Sequence, residues 1–161
     1  YMLICGTGKS TGKCKALVNE LGCGDRIIFA GYRYDAKELL HGADAFIFPS
    51  RREGLGLAAI EAMAAGLPLI VSDNRGTREY AVNGENAIVC EYNNISQFID
   101  AVRLLSSDRE LCKKLGNNGY RAAERYGLDN SIAEMAAIYR DYLEIPSENK
   151  TEVLSGENKK V

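Results

Sequence analysis

Two carboxylates frame the stretch of this sequence best equipped for chemistry. Glu53 and Glu61 have seven residues between them, Gly54-Leu55-Gly56-Leu57 and then Ala58-Ala59-Ile60. Glycines at 54 and 56 let the backbone approach a ligand closely, and Gly56-Leu57 opens a run of strong helix formers. The first amides of a helix have no intrahelical acceptor, so such an opening attracts anions, phosphates above all. The glutamates therefore bracket an anion-binding turn, Glu53 before it and Glu61 one turn into the helix. Glu61 is the odd residue, the only charge between Glu53 and Asp73. A helix apolar all round is normally buried, which predicts a largely desolvated Glu61 carboxylate in need of a partner. Two partners fit: an arginine of the fold, or a ligand that supplies hydroxyl donors.

The flanking elements position this pair. Ala45-Phe46-Ile47-Phe48 reads as a short buried strand. Pro49 lacks an amide donor and ends the pairing there. A polar loop leads to Glu53, a helix runs from Leu57 to Ala65, and Gly66-Leu67-Pro68 stops it. The glutamates thus lie beyond the C-terminal end of a strand, where parallel α/β sheets hold their ligands.

Phe48-Pro49-Ser50, Glu53-Gly-Leu-Gly-Leu and Glu61-Ala-Met-Ala-Ala-Gly-Leu-Pro together resemble the E-x7-E signature of retaining GT-B glycosyltransferases. These are the family 4-like, group 1 glycosyl transferases, which include sucrose synthases and many bacterial polysaccharide enzymes. Two glutamates at this spacing are a weak signal; their context makes the match specific. The resemblance covers roughly Met2–Leu143. It implies an α/β fold, a Rossmann-like parallel sheet sandwiched by helices, as in the C-terminal half of a GT-B fold, with a helical C-terminal extension. It also implies an enzyme that moves a hexosyl group from a nucleotide-diphosphate sugar to an acceptor hydroxyl with retention, in polysaccharide or glycolipid biosynthesis. By the same implication Glu53 is catalytic, touching sugar hydroxyls near the reacting centre. Ser50, Gly54, Leu55, Gly56 and Leu57 bind substrate, the amides from Gly54 to Leu57 holding sugar and diphosphate, and Glu61 accepts from the ribose. No cofactor and no metal are required on this reading, because pre-oriented amides stabilise charge that develops on the leaving phosphate.

The family also neutralises the diphosphate with an Arg…Lys pair, for which no residue here can be assigned. The acceptor, a sugar or lipid-linked sugar, would be held by an N-terminal domain that this sequence does not contain, so the 161-residue chain is expected to be inactive alone. Two other functions remain open. One is a non-catalytic sugar-nucleotide-binding or interaction module. The other is half of a GT-B-fold sugar-nucleotide epimerase, which would call for acids and histidines that this chain largely lacks.

Bulk properties narrow the classes. Twenty Lys and Arg stand against 22 Asp and Glu, which gives no field favouring nucleic acid or an anionic membrane. No apolar run approaches the length of a membrane span, and the start lacks a secretory signal. Five scattered cysteines without a C-x-x-C pair read as reduced thiols of a cytosolic protein rather than a zinc site. The expected location is cytoplasmic, or peripheral at the inner membrane face through the N-terminal domain. Gly6-Thr-Gly-Lys-Ser-Thr-Gly12-Lys13 suggests a P-loop but fails its spacing, which would need glycine at Thr7 and a hydroxyl residue at Cys14.

In chain order, strands are expected at Tyr1–Cys5, Arg26–Gly31, Ala45–Phe48, Leu67–Val71 and Ala87–Cys90. Helices are expected at Thr11–Leu21 and from Asp35, as the cap of a capping-box-like Asp35…Glu38, to Gly42, with His41 structural at its C-terminus. Asn74–Glu79 is a polar turn into a short helix, like the family's segment that faces the donor phosphates. Strands alternating with helices indicate a parallel sheet. Ile95, Phe98, Ile99 and Val102 recur at helical spacing, and further helices follow from Asp108 to Tyr126 and from Asn130 to Leu143. Leu128 replaces an aromatic common in the family. The domain is expected to span 1–145, with a polar, disordered tail from Pro146 to Val161.

Overall fold

The computed structural model describes residues 1–143. The expected tail from Pro146, and the expected domain end at 145, lie outside the described residues. The chain divides after Ala43 into two units. Both alternate strands with helices, and every strand pair is parallel.

The first unit contains β1 (Met2–Cys5), α1 (Thr11–Glu20), β2 (Ile27–Gly31) and α2 (Ala36–His41). β1 pairs with β2 from Met2 opposite Ile27, and the Gly6 amide closes the ladder on Gly31 O at 2.6 Å. Helix α1 seats Val18 as its buried residue. Asp35 stands at the cap of α2 as its position predicts, but its carboxylate caps nothing. It faces backward instead onto the Arg33 guanidinium, which donates to both carboxylate oxygens. A charged fork two residues away outcompetes a single backbone amide for the same oxygens. His41 Nδ1 lies 2.7 Å from Lys37 O in the last turn of α2, in keeping with a structural role.

The second unit begins with β3 (Phe46–Phe48), α3 (Leu57–Ala64), β4 (Leu69–Ser72) and β5 (Ala87–Cys90), with strand order β3-β4-β5. Register is set by Ile47, Ile70 and Ile88 lying side by side. All four residues of the central strand β4 are buried, as a strand covered on both faces requires. Ile70 and Cys90 pack on Ala101 and Leu105 of α4 (Ile95–Ser107) and on Leu115 of α5 (Arg109–Ala123), with Ile47, Ile88, Phe98 and Leu111 around them. The Asn94 and Asp108 side chains accept from Gln97 N and Leu111 N and cap the two helices, contributions of about 1 kcal/mol each. A 3-10 turn (Glu124–Tyr126) and α6 (Leu128–Leu143) follow.

Helix α4 forms where its periodicity predicts, but it buries a different face. Ile95, Ile99 and Val102 are exposed, while Ala101 and Leu105 are buried and Phe98 is half-buried. Apolar residues occupy more than one stripe of this helix, so spacing identifies a helix without choosing the stripe that the sheet covers. Leu128, the departure from the family's aromatic, is exposed.

The end of α3 is closed tightly. Gly66 has φ +77°, its amide donates to Met63 O, and Leu67 N reaches back to Ala62 O, a Schellman closure. Helix α5 crosses this turn at Gly116, where an added Cβ would lie 2.2 Å from Gly66 O; at Gly119 it would make only ordinary contacts of 3.7 Å. Gly116→Ala should therefore force the helices apart and lower stability by about 1–3 kcal/mol. Gly119→Ala should be neutral or stabilise by up to about 1 kcal/mol through helix propensity. Denaturant melts of the two variants check this contrast.

Candidate functional site

Two loops leave the C-terminal ends of neighbouring parallel strands, since Phe48 of β3 pairs with Val71 of β4. The first carries Ser50, Glu53 and the glycines. The second, from Asp73 to Tyr80, is knotted by its own polar groups. The Thr77 hydroxyl donates to Ser72 O at 2.7 Å and accepts from Asn74 N at 3.1 Å, and Asn74 Oδ1 accepts from Thr77 N at 3.1 Å. Both side chains are buried, so this satisfied network makes a rigid turn. It is tied to the first loop by Asn74 Nδ2, which donates to Ser50 O at 3.0 Å.

Glu53 is held where the loops meet. The Ser50 hydroxyl donates to Glu53 Oε1 at 2.6 Å, a short charge-assisted bond. From the other side Gly76 abuts its main chain: a Cβ at 76 would lie 2.8 Å from Glu53 O and 2.9 Å from Glu53 Cβ. Glu53 as a residue is half-buried.

The turn beyond Glu53 leaves amides unpaired. Gly56 precedes α3 in the left-handed region, with φ +87° and ψ 57°, and no side chain caps the helix. A Cβ at 56 would lie 3.0 Å from both Phe48 Cε1 and Tyr80 Oη, so conformation and space both demand glycine. Among the described residues, the amides from Gly54 to Ala58 have no protein acceptor. They form an uncapped helix N-terminus open to an anion. Beneath it lies Tyr80, 5% exposed, its ring edge-on to Tyr126 at 6.4 Å. Burial first, then the Glu53 charge and Tyr126, push its phenol up to about 12.

Cations populate the same edge of the sheet. Arg51 and Arg52 are exposed in the first loop and Arg75 in the second, and Arg51 lies 5.9 Å from the Tyr92 ring centroid after β5. Arg78 grips Asp73 through two bonds of 2.6 and 2.9 Å. That hydrogen-bonded guanidinium holds the Asp73 carboxyl below the usual carboxylate range.

Glu61 corrects the sequence expectation. Its carboxylate is exposed, and it makes no salt bridge or hydrogen bond among the described residues. Helix α3 is apolar all round in composition, yet only Ala59, Ile60, Ala62 and Met63 are buried. Leu57, Ala58, Glu61 and Ala64 form its open face, because small alanines on that stripe leave little to cover. A buried arginine partner for Glu61 is therefore not what the fold provides.

The structure thus gathers Ser50, Glu53 and Gly56 at one place, with Gly54 and Leu57 exposed, Leu55 half-buried and Glu61 one helical turn on. Sequence reasoning picked out the Asn74–Glu79 turn but not its bond to Ser50 or the seat of Gly76 under Glu53. The spacing of Asn74 and Thr77 carried a readable signal, since side chains three residues apart cap one another's amides in turns. Tyr80 carried none. Among the described residues no three or more His, Cys, Asp or Glu side chains form a metal-sized group, and no helix is long and apolar enough to cross a membrane.

The model of the family described as "Glycosyl transferases group 1" matches residues 1–122. EpsD of Bacillus subtilis (strain 168), provisionally named a glycosyltransferase, is 34% identical over 150 residues, 93% of this chain and 39% of EpsD. Sucrose-phosphate synthase from Thermosynechococcus elongatus superposes with a TM-score of 0.80 at 24% identity, over 88% of this chain and 38% of that one. HepE of Anabaena, solved in complex with UDP-glucose, gives a TM-score of 0.77 at 21% identity, over 84% and 40%. The chain spans about two fifths of the length of the curated relatives it matches.

The seat of Gly76 is directly testable. Gly76→Ala places a methyl group against the Glu53 backbone and should lower stability by about 1–3 kcal/mol. A denaturant melt of the variant beside the wild type reads this.

Proposed function

The chain belongs to the glycosyl transferases group 1 family, and from that premise we propose that it is the donor-binding domain of a retaining hexosyltransferase. The full-length enzyme takes a nucleotide-diphosphate sugar and passes the hexosyl group to an acceptor hydroxyl, in polysaccharide or glycolipid synthesis. One observation carries this reading: Glu53 is clamped between Ser50 Oγ and Gly76 at the mouth of the unpaired amides that open α3.

A nucleotide sugar has the matching order of groups. Its diphosphate lies along the amides from Gly54 to Leu57 and gains from the partial positive charge of the helix N-terminus. The sugar reaches back to Glu53, which orients its hydroxyls near the breaking bond. The nucleoside runs forward along the open face of α3, where the exposed Glu61 accepts from the ribose diol. As the bond to the anomeric carbon breaks, charge grows on the diphosphate, and amides already aimed at it stabilise that charge without reorganising. On this reading the donor set asks for no metal cofactor. HepE, a fold relative crystallised with UDP-glucose, supports the donor class. The acceptor site belongs to the N-terminal domain of the full-length protein, and this chain supplies the donor side. Its location on this reading is cytoplasmic, or peripheral at the inner membrane face through that other domain.

Full-length protein incubated in EDTA with a panel of sugar and lipid-linked sugar acceptors and with UDP-glucose, UDP-N-acetylglucosamine, UDP-galactose or GDP-mannose as donor should form a glycosylated acceptor from one of them, with the donor's anomeric configuration by NMR. The 161-residue chain should form none. Product inversion, or epimerised donor without transfer, would overturn the reading.

Glu61→Ala in the full-length protein should weaken nucleotide binding at least tenfold, since hydrogen bonds to a charged acceptor are worth about 1.5–3 kcal/mol each and about 1.4 kcal/mol is tenfold. Because Glu61 is exposed, its melting temperature should hardly move. Titration with UDP and GDP beside a thermal melt checks both.

A further inference from the structure

The second loop holds a hydroxyl that the proposed chemistry has not used. Tyr80 Oη is buried and has no hydrogen-bond partner among the described residues, in a residue 5% exposed. An unpaired buried donor is costly, and a phenylalanine would fill the same space without that cost. Its surroundings are specific. The oxygen lies under the amide turn, 3.0 Å from where a Gly56 Cβ would stand. The chain leading to it is anchored by Thr77, whose hydroxyl holds Ser72 O, one residue after Gly76 has met the Glu53 main chain. Glu53 is the charged acceptor whose field the phenol feels.

We propose that Tyr80 is a positioning residue for Glu53: with the donor sugar bound, its hydroxyl donates to the carboxylate oxygen that Ser50 leaves open. In the free protein Glu53 is only half-buried, so solvent reaches it. A sugar diphosphate seated on the turn expels the water, and a carboxylate in a drier site needs protein donors more strongly. Ser50 already holds Oε1. Tyr80 is an uncommitted donor under the same turn, and closing this bond fixes both carboxylate oxygens against the sugar. The bond forms only when the sugar is present, so it serves the transfer step and not the grip on the nucleotide.

This inference rests on the reading of Glu53 as the sugar contact, and the test separates the two. Full-length wild type, Tyr80→Phe, Glu53→Gln and the double variant are compared with UDP-glucose, UDP-N-acetylglucosamine and GDP-mannose as donors and the same panel of sugar and lipid-linked sugar acceptors, and with UDP and GDP in binding titrations. Tyr80→Phe should melt at or slightly above the wild-type temperature, because it removes an unpaired hydroxyl. It should bind UDP and GDP within twofold of wild type. Its kcat should fall about tenfold or more, the usual worth of a hydrogen bond to a charged group. In the Glu53→Gln background the same change should cost almost nothing further. A Tyr80→Phe enzyme with unchanged kcat overturns the inference alone, and so does one that fails to fold, since the hydroxyl would then have a partner in the free protein. A wild type inactive with every donor overturns the functional reading and this inference with it.

Discussion

A glycine at 76 brings the turn after β4 into contact with the main chain of Glu53, where any side chain would collide. Most of the site depends on that approach. It allows Asn74 to reach Ser50 O, and Ser50 in turn holds Glu53 by its hydroxyl. Removing the glycine would separate the loops and release each of these groups in turn. The carboxylate is therefore oriented by the pairing of β3 with β4, which delivers both loops to the same edge, and not by its own loop alone.

The amide turn is fixed by a second pair of constraints. At its start, Gly56 takes a left-handed conformation because Phe48 and Tyr80 occupy the space a side chain would need. At the far end of α3, the Schellman closure at Gly66 is pressed by Gly116 of α5. A helix of eight residues has little stability of its own, so its direction is imposed by these glycine contacts. What results is a short, well-aimed set of amides, with exposed arginines on the neighbouring loops adding a positive field.

The exposure of Glu61 fits this arrangement. One face of α3 is committed to the core through Ile60 and Met63, and the other carries Leu57, Glu61 and Ala64. A nucleotide extending from the amide turn would lie along that outer face, and an ionised acceptor there costs nothing to keep in water until the ligand arrives.

Much of this was legible in the sequence, for local reasons. The order of strands and helices, the helix stop at Gly66 and the glycine-rich turn between Glu53 and Glu61 follow from periodicity, capping chemistry and spacing over short windows. Chemistry within such a window is written in neighbouring residues, which is why the group 1 signature could be recognised in one stretch. The buried side of each helix was not so written: α4 offers more than one apolar stripe, and α3 looks apolar throughout. Packing chose Ala101 and Leu105 over Ile95 and Ile99, and it left Glu61 in water. Likewise Gly76 under Glu53 and Tyr80 under Gly56 join residues more than twenty positions apart. Contacts at that separation exist only once parallel strands bring distant loops to one edge, so the tertiary structure alone decided them.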